Sequence, residues 1–238
     1  MLDSTAIDAA ADFDSFFAAA SAPIIRSASH FTTDCLWIVE HAQRSADSFP
    51  GIAALVLLSI QQPFSELARA MPDVAANGFE SRYLWGFKPK GLAYVQANKS
   101  DLWRSARRYA DGEINLDTLI LDYLAIPGLG IVKASFLAQM TVGNGACLDT
   151  HNLRSLGLAL DAFKTPKTLK VDSVRKRIAT YNATWQNQGD SAHWWNLWCD
   201  SVGSRTHNSR GAHLNGLFYG GGAEVSALHR LAITAGIK

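Results

Sequence analysis

Apolar residues recur at helical spacing along most of the chain. Between 116 and 124 they follow the i, i+3, i+4, i+7, i+8 pattern of an amphipathic helix, and the same spacing resumes over 132–140. Residues 52–71 predict another helix, apolar nearly all round at first and amphipathic afterwards, with Pro63 marking a break or a kink. A further helical block is predicted near 167–182. Because strand-like alternation is scarce, the pattern predicts an all-α fold.

The C-terminal quarter of the chain mixes aromatic and polar segments. Trp194, Trp195 and Trp198 are expected to pack in a hydrophobic core, with a base-stacking platform as the alternative. The segment 201–224 is rich in Gly, Ser and Asn, so it is predicted to be mostly loop.

Composition and charge narrow the class of protein. The chain has 238 residues, of which 48% are hydrophobic, enough to bury a sizeable core. A formal net charge of +1 argues against a histone-like polybasic protein, although nucleic-acid binding depends on how charge is distributed over the surface. Two stretches, 82–108 and 164–177, are strongly basic. Each is interpreted either as a solvated helix face or as a surface that contacts a nucleic-acid backbone.

The spacing of the cysteines and the hydropathy of the chain indicate the cellular compartment in which the protein is expected. Cys35, Cys147 and Cys199 are widely spaced, which predicts neither a disulfide framework nor a zinc or iron–sulfur site. The longest apolar run, 52–60, is too short to span a bilayer, and the acidic N-terminus does not resemble a signal peptide. We therefore expect a soluble protein of a reducing cytoplasm, with no membrane partner and no metal ligands of its own.

The glycine-rich turn in "AIPGLGIVKASF" is a candidate anion site. Pro127 and Gly128 are expected to end the first helix, and Gly130 to adopt a backbone conformation closed to other residues. The second helix then begins at once with unpaired amides, the arrangement by which a helix hairpin holds a nucleic-acid phosphate. The predicted backbone contacts are Gly128, Gly130, Val132 and Lys133. The alternative is an ordinary corner between two helices.

A lone aspartate follows this turn by about twenty residues, in "CLDTHN". A carboxylate at Asp149 either caps the helix that starts near Thr150 or acts as an ionised acid in a reaction, and the two roles can coexist.

Several motifs together resemble one family. The segments "IPGLGIVKASFLAQ" and "ACLDTHNLR" resemble the hairpin and catalytic-aspartate signature of the helix-hairpin-helix DNA glycosylase superfamily. Upstream, "LLSIQQPFSELA" is similar to the "LLSxQ" helix of that superfamily, whose glutamine fills the gap left by an extruded base; Gln61 is the matching residue. The resemblance covers roughly 52–160. It implies that 1–238 is a single catalytic domain of two helical lobes, with the hairpin at about 116–140 and the active site in the cleft between lobes.

Departures from the superfamily pattern point to one branch. Bifunctional glycosylases carry a Schiff-base lysine at the position of Val132, whereas Lys133 lies one step later, about 100° around a helix, which argues against a β-lyase. The C-terminal "WCDSV" and "AEVSALH" are similar to segments of phage amino acid:DNA transferases, also called α-glutamyl/putrescinyl thymine pyrophosphorylases. That resemblance implies transfer of an amino acid, with glycine as one candidate, onto the 5-methylene of pyrophosphorylated hydroxymethyluracil in DNA, with release of pyrophosphate. The alternatives are a monofunctional DNA glycosylase that excises a damaged or modified base, and a non-catalytic DNA-binding module, which the presence of Asp149 disfavours.

The resemblance also implies roles for side chains near the motifs. Asp149 and Lys133 would be catalytic, with Lys133 also offsetting the charge of a DNA phosphate or of the leaving pyrophosphate. Substrate contacts are expected from Gln61, His151, Asn152 and Arg154. No cofactor is required, although a monovalent cation at the hairpin and Mg²⁺ with the pyrophosphate are compatible with the chemistry. The expected partners are double-stranded DNA containing a modified pyrimidine and a free amino acid. A monomer is expected, in the host bacterial cytoplasm if the gene is of phage origin.

Overall fold

The computed structural model describes residues 35–62, 66–164 and 170–198. Within these ranges every regular element is helical, which confirms the all-α prediction. The helices are α1 Leu36–Arg44, α2 Phe49–Leu58, α3 Leu67–Asn77, α4 Lys88–Ala110, α5 Leu116–Tyr123, α6 Ile131–Val142, α7 Thr150–Ser155, α8 Val171–Gln186 and α9 over 191–198. None of the helices in the described ranges combines the length and the apolar character needed to cross a membrane.

Helix α2 is the centre of the fold. All ten of its residues are buried, as expected of a segment that is apolar all round, and it packs against α3, α4 and α6. Helix α4 approaches closely at Gly91, where an added Cβ would lie 2.8 Å from a methyl carbon of Leu57 and 2.7 Å from the carbonyl oxygen of Pro127. A residue without a side chain therefore lets α2, α4 and the turn after α5 meet. The single helix predicted over 52–71 is in fact two, because α2 already ends at Leu58.

Helices α5 and α6 form the predicted hairpin. Asn115 caps α5 by accepting a hydrogen bond from the amide of Thr118 at 3.0 Å. The two helices are joined inside the core, where the hydroxyls of Tyr123 and Thr141 lie 2.9 Å apart. The apolar positions that predicted these helices are buried, with Leu124 and Val132 only partly so.

Of the last two described helices, α8 packs against α5 and α9 covers one side of α6. Trp195 and Trp198 contact Phe136, with ring centroids 6.1 and 5.0 Å apart, and the indole of Trp194 donates to the carbonyl of Trp185 at 2.9 Å. The three tryptophans are thus core residues, as predicted. Helix α8 begins at Val171, slightly later than the predicted block. The loop predicted over 201–224, and Cys199, lie outside the described residues, while Cys35 and Cys147 are buried thiols.

Candidate functional site

The turn between α5 and α6 depends on one glycine. Gly128 has φ +93°, and a Cβ there would lie 1.9 Å from a ring carbon of Phe87, so both the backbone angle and the packing exclude a side chain. Gly130 has φ −98° and ψ 176°, which is extended backbone open to any residue. The prediction that Gly130 needs a conformation closed to other residues was therefore wrong. The sharp change of direction occurs two residues earlier.

The amides at the start of α6 fall into two groups, those bonded within the turn and those without a partner in the described ranges. The amides of Lys133 and Ala134 both donate to the carbonyl of Gly130, at 3.0 and 2.9 Å. The amides of Gly130, Ile131 and Val132 donate to no other group in the described part of the chain. These three amides, including that of the predicted backbone contact Val132, are thus available to an anion. The amide of Lys133 is already used.

The side chain of Lys133 points into the protein. Its Nζ donates to the hydroxyl of Ser59 at 3.1 Å and lies 3.8 Å from the sulfur of Cys147. It also lies 5.1 Å from the ring centroid of Phe136. Ser59 directly follows α2, and Cys147 precedes Asp149 by two residues. The one-residue shift relative to bifunctional glycosylases therefore still leaves the amine between the two segments that carry Gln61 and Asp149.

The segment that leads to Asp149 runs back along α6 toward its N-terminal end. Gly145 lies against the middle of α6, where an added Cβ would be 2.4 Å from the carbonyl oxygen of Ser135. Next, the amide of Ala146 donates to the hydroxyl of Ser135 at 3.1 Å, and Cys147 reaches Lys133. Gly145 and Ala146 both meet Ser135, and Cys147 meets the earlier residue Lys133. The segment therefore approaches the first turns of α6 two residues before Asp149.

Asp149 caps the helix that follows it. The residue is half-buried, and its Oδ1 accepts a hydrogen bond from the amide of Asn152 at 3.2 Å. The capping role considered in the sequence is thus observed. A chemical role for this carboxylate stays a prediction.

The three residues chosen after Asp149 differ in placement. Asn152 is buried, and its Nδ2 donates to the carbonyl of Cys147 at 2.7 Å, so it holds the segment rather than facing a ligand. Arg154 is exposed in the last turn of α7. The side chain of His151 lies outside the described part of the structure.

Gln61 lies in the turn after α2 with an uncommon backbone. It has φ +53° and is the one non-glycine residue of the described ranges with positive φ. Its side chain is exposed. Positive φ is uncommon and costly for a residue other than glycine, which makes Gln61 a candidate for a functional position.

Sequence reasoning missed Lys88 as an individual residue and counted it within the basic stretch. Lys88 is fully buried, and its Nζ donates to Oε1 of Gln62 at 3.0 Å and to the carbonyl of Leu58 at 3.4 Å. The ammonium lies 4.3 Å from the ring centroid of the exposed Trp85. Desolvation lowers the pKa of Lys88 to about 8. No sequence signal separates this lysine from its exposed neighbours.

Most cations of the basic stretch 82–108 are neutralised locally. Beyond Lys88, four of them form ion pairs with carboxylates: Lys99 with Asp47, Arg104 with Asp101, Arg107 with Asp111 and Arg108 with Glu113. This is the solvated-face interpretation of the stretch. In the second stretch, Lys164, Lys170, Arg175 and Lys176 are exposed, and none pairs with a carboxylate of the described residues.

Comparison with known proteins found no matching family model, no matching curated protein and no matching solved structure. Among the residues that the structure describes, no group of three or more His, Cys, Asp or Glu side chains is placed to hold a metal ion.

Proposed function

We propose that this chain is a DNA base-modifying enzyme of the helix-hairpin-helix type, with two helical lobes and an active site in the cleft between them. In this proposal it transfers an amino acid onto the 5-methylene of a pyrophosphorylated hydroxymethyluracil in double-stranded DNA and releases pyrophosphate. The DNA backbone is held at the amides of Gly130, Ile131 and Val132. Gln61 fills the space left by the extruded base, and Asp149 acts on the base.

One observation carries the proposal. The Nζ of Lys133 lies within 3.1 Å of Ser59 and 3.8 Å of Cys147, so a single side chain of α6 joins the turn of Gln61 to the segment of Asp149. Lys133 directly follows the residues with open amides, in the first turn of α6. Three parts of the chain were selected separately in the sequence: the turn of Gln61, the glycine-rich turn and the segment of Asp149. The contacts of Lys133 bring these parts near the N-terminal half of α6, which supports the proposal.

The reaction assigns a task to each charged group. The amine nitrogen of the amino acid forms a bond to the 5-methylene carbon, and the bond from that carbon to the pyrophosphate oxygen breaks with its electron pair leaving on pyrophosphate. The carboxylate of Asp149 accepts the proton that the attacking amine releases. The ammonium of Lys133 offsets charge on the departing pyrophosphate. Extrusion of the base, which costs a few kcal/mol, is required because an active site cannot enclose a stacked base.

Base excision by a monofunctional DNA glycosylase is the second candidate, and the half-buried carboxylate of Asp149 is compatible with it. In that case the carboxylate of Asp149 would steady the cationic sugar and steer water.

Neither reaction needs a cofactor held by the chain. A monovalent cation at the hairpin carbonyls and Mg²⁺ accompanying pyrophosphate are compatible with the proposal. A free amino acid and duplex DNA are its partners, and the bacterial cytoplasm is the compartment in which they would meet.

Mass spectrometry of nucleosides distinguishes the two reactions. The protein is incubated with duplex DNA containing pyrophosphorylated hydroxymethyluracil and a mixture of amino acids, and the DNA is then digested. A nucleoside heavier by one condensed amino acid supports transfer, whereas an abasic site supports excision. DNA that shows neither the heavier nucleoside nor an abasic site contradicts the proposed function.

Asp149→Asn tests the acid without removing its cap, because asparagine caps a helix as well as aspartate does. We expect turnover to fall by about 10²-fold or more, the range of general acid–base effects, with DNA affinity nearly unchanged. Asp190→Asn is the matched control, since Asp190 accepts a hydrogen bond from the amide of His193 at 2.8 Å in the same capping geometry. Full activity of Asp149→Asn would rule out the catalytic role of this carboxylate.

A further inference from the structure

The backbone of 145–148, which leads to Asp149, is held by buried side chains from several elements. The hydroxyl of Ser191 donates to the carbonyl of Gly145 at 2.9 Å, and the hydroxyl of Ser135 accepts from the amide of Ala146 at 3.1 Å. Asn152 donates to the carbonyl of Cys147 at 2.7 Å. A coil segment in the core would otherwise leave these backbone groups unsatisfied, at a cost of about 1–3 kcal/mol for each.

Tyr181 holds the backbone of this segment at two points. Its hydroxyl donates to the carbonyl of Ala146 at 2.7 Å and accepts from the amide of Leu148 at 3.1 Å. One oxygen therefore fixes the backbone on both sides of Cys147. Tyr181 is fully buried on α8, and Phe163 packs edge-on against its ring at 4.9 Å between centroids. Burial raises the pKa of the Tyr181 hydroxyl, so it stays protonated and keeps its donor.

This geometry is more than a core contact requires. A tyrosine packed for its ring alone needs one partner for its hydroxyl, and Tyr123 illustrates that case with a single partner, Thr141. The hydroxyl of Tyr181 instead makes hydrogen bonds to two backbone groups shortly before the proposed catalytic residue, in addition to an interaction with the side chain of Ser135. Since a misplacement of about 1 Å can reduce a rate by about 10²-fold, rigid support at this point affects chemistry.

We infer that Tyr181 is a positioning residue, which fixes the carboxylate of Asp149 by holding the backbone of Ala146 and Leu148 from helix α8. The inference rests on the proposed function for its effect on turnover. The hydrogen bonds themselves are independent of that function, and so is one of the two measurements below.

The test compares Tyr181→Phe with Tyr123→Phe, each of which removes one buried phenol hydroxyl. We expect Tyr181→Phe to lower kcat by about 10-fold to 10²-fold while the Kd for duplex DNA changes less than about twofold. Tyr123→Phe should leave kcat within about twofold, even if both variants lose similar thermal stability. Combined with Asp149→Asn, Tyr181→Phe should produce no additional loss, because the carboxylate that it positions is gone.

Hydrogen exchange gives a readout that does not depend on activity. The amide of Leu148 should exchange faster in Tyr181→Phe than in the wild type, and Tyr123→Phe should leave that rate unchanged. Should Tyr181→Phe fail to fold, Ser135→Ala removes the neighbouring support of Ala146 and should lower kcat in the same way.

The outcomes separate the two claims. Wild-type protein that forms neither product contradicts the proposed function, and the exchange rate of Leu148 then decides whether Tyr181 holds the segment. Wild-type activity with unchanged kcat in folded Tyr181→Phe, or unchanged exchange at Leu148, overturns the positioning role.

Discussion

Gln61 combines an unfavourable backbone conformation with an exposed side chain. Its φ of +53° costs about 1–2 kcal/mol for a residue other than glycine. Its neighbours Ser59 and Gln62 accept hydrogen bonds from Lys133 and Lys88, whereas the side chain of Gln61 is exposed to solvent. A glutamine that is projected at an energetic cost fits the role of filling a gap in a DNA duplex better than the role of a surface residue.

Replacing Gln61 by glycine should therefore separate stability from function. We expect Gln61→Gly to raise the free energy of unfolding by up to about 1 kcal/mol, because glycine adopts positive φ without strain. The same variant should weaken base extrusion, measured by the fluorescence of 2-aminopurine placed opposite or beside the target base. Gln61→Ala is the control, since it removes the side chain and keeps the strain. Unimpaired extrusion in both variants would exclude Gln61 as the inserted residue.

Gly128 offers a stability test of the hairpin itself. Gly128→Ala would force a Cβ to within 1.9 Å of the ring of Phe87 at a φ of +93°, so we expect a loss of about 2–5 kcal/mol in urea unfolding. Gly112 also has positive φ, +76°, but no atom lies within 4 Å of an added Cβ. Gly112→Ala should therefore cost only about 1 kcal/mol. Equal losses in the two variants would mean that Phe87 does not close onto the turn.

At the scale of elements, α2 ends inside the protein with two lysines beside its last turn. The carbonyl of Leu58 accepts from Lys88, and the hydroxyl of Ser59 accepts from Lys133. A helix C-terminus carries partial negative charge, so cations there are favourable. This explains how an entirely apolar helix can end beside two ammonium groups, of which that of Lys88 is buried. It also means that the turn of Gln61 is tied to α4 and α6 at once.

The pH dependence of stability should report on Lys88. Its pKa in the folded state is about 8, below the ordinary value of 10.5, so between these values the unfolded chain binds more protons. The free energy of unfolding should consequently rise from pH 8 toward pH 10.5, whereas the burial penalty of the ammonium applies in full below pH 8. Lys88→Met should lack this rise, as measured by chemical denaturation of both proteins at several pH values. Parallel pH profiles for the two proteins would show that Lys88 keeps its ordinary pKa.

Some of these elements were predictable from the sequence. The hairpin helices follow apolar periodicity because a helix with one buried face must repeat every three to four residues, and both α5 and α6 form where it predicts. The burial of Lys88 is not encoded in such a pattern, since a lysine stem is apolar and its head finds partners 26 and 30 residues away along the chain. The sequence assigned the glycine-only backbone conformation to Gly130, whereas the structure has it at Gly128, and the reason is similar. It depends on Phe87, which only the tertiary fold brings to the turn.

The support of Asp149 shows the same limit. Its place after the hairpin and its capping of α7 could be predicted from local sequence. Tyr181 lies 33 residues beyond Leu148 along the chain and looks, in sequence, like any aromatic residue of an amphipathic helix. Local patterns therefore identified the residue proposed for chemistry and missed the one that holds it.

At the scale of the whole molecule, charge is distributed differently from what the sequence runs suggest. The cations of α4 are mostly paired with carboxylates, and a surface ion pair leaves little net field for a polyanion. The cations around the start of α8 are exposed without such partners in the described ranges. Arg177 donates to the carbonyl of Lys164, which brings Lys164 close to α8. Because these cations lack carboxylate partners in the described ranges, we expect the second basic stretch to attract a polyanion more strongly than α4 does.

Salt dependence of DNA binding can assign the contact surface. Each phosphate contact lowers the slope of log K against log salt by about 0.9, so removing a contacting cation makes the slope shallower by that amount. Two triple glutamine variants, one for each stretch, change the same charge: Lys170, Arg175 and Lys176 around α8, and Arg104, Arg107 and Arg108 on α4. We expect the α8 set to lose affinity and slope, whereas the α4 set should retain both, because its carboxylates already neutralise those cations. The reverse result would place the DNA along α4, and a wild-type slope near zero would contradict phosphate binding at the hairpin as well.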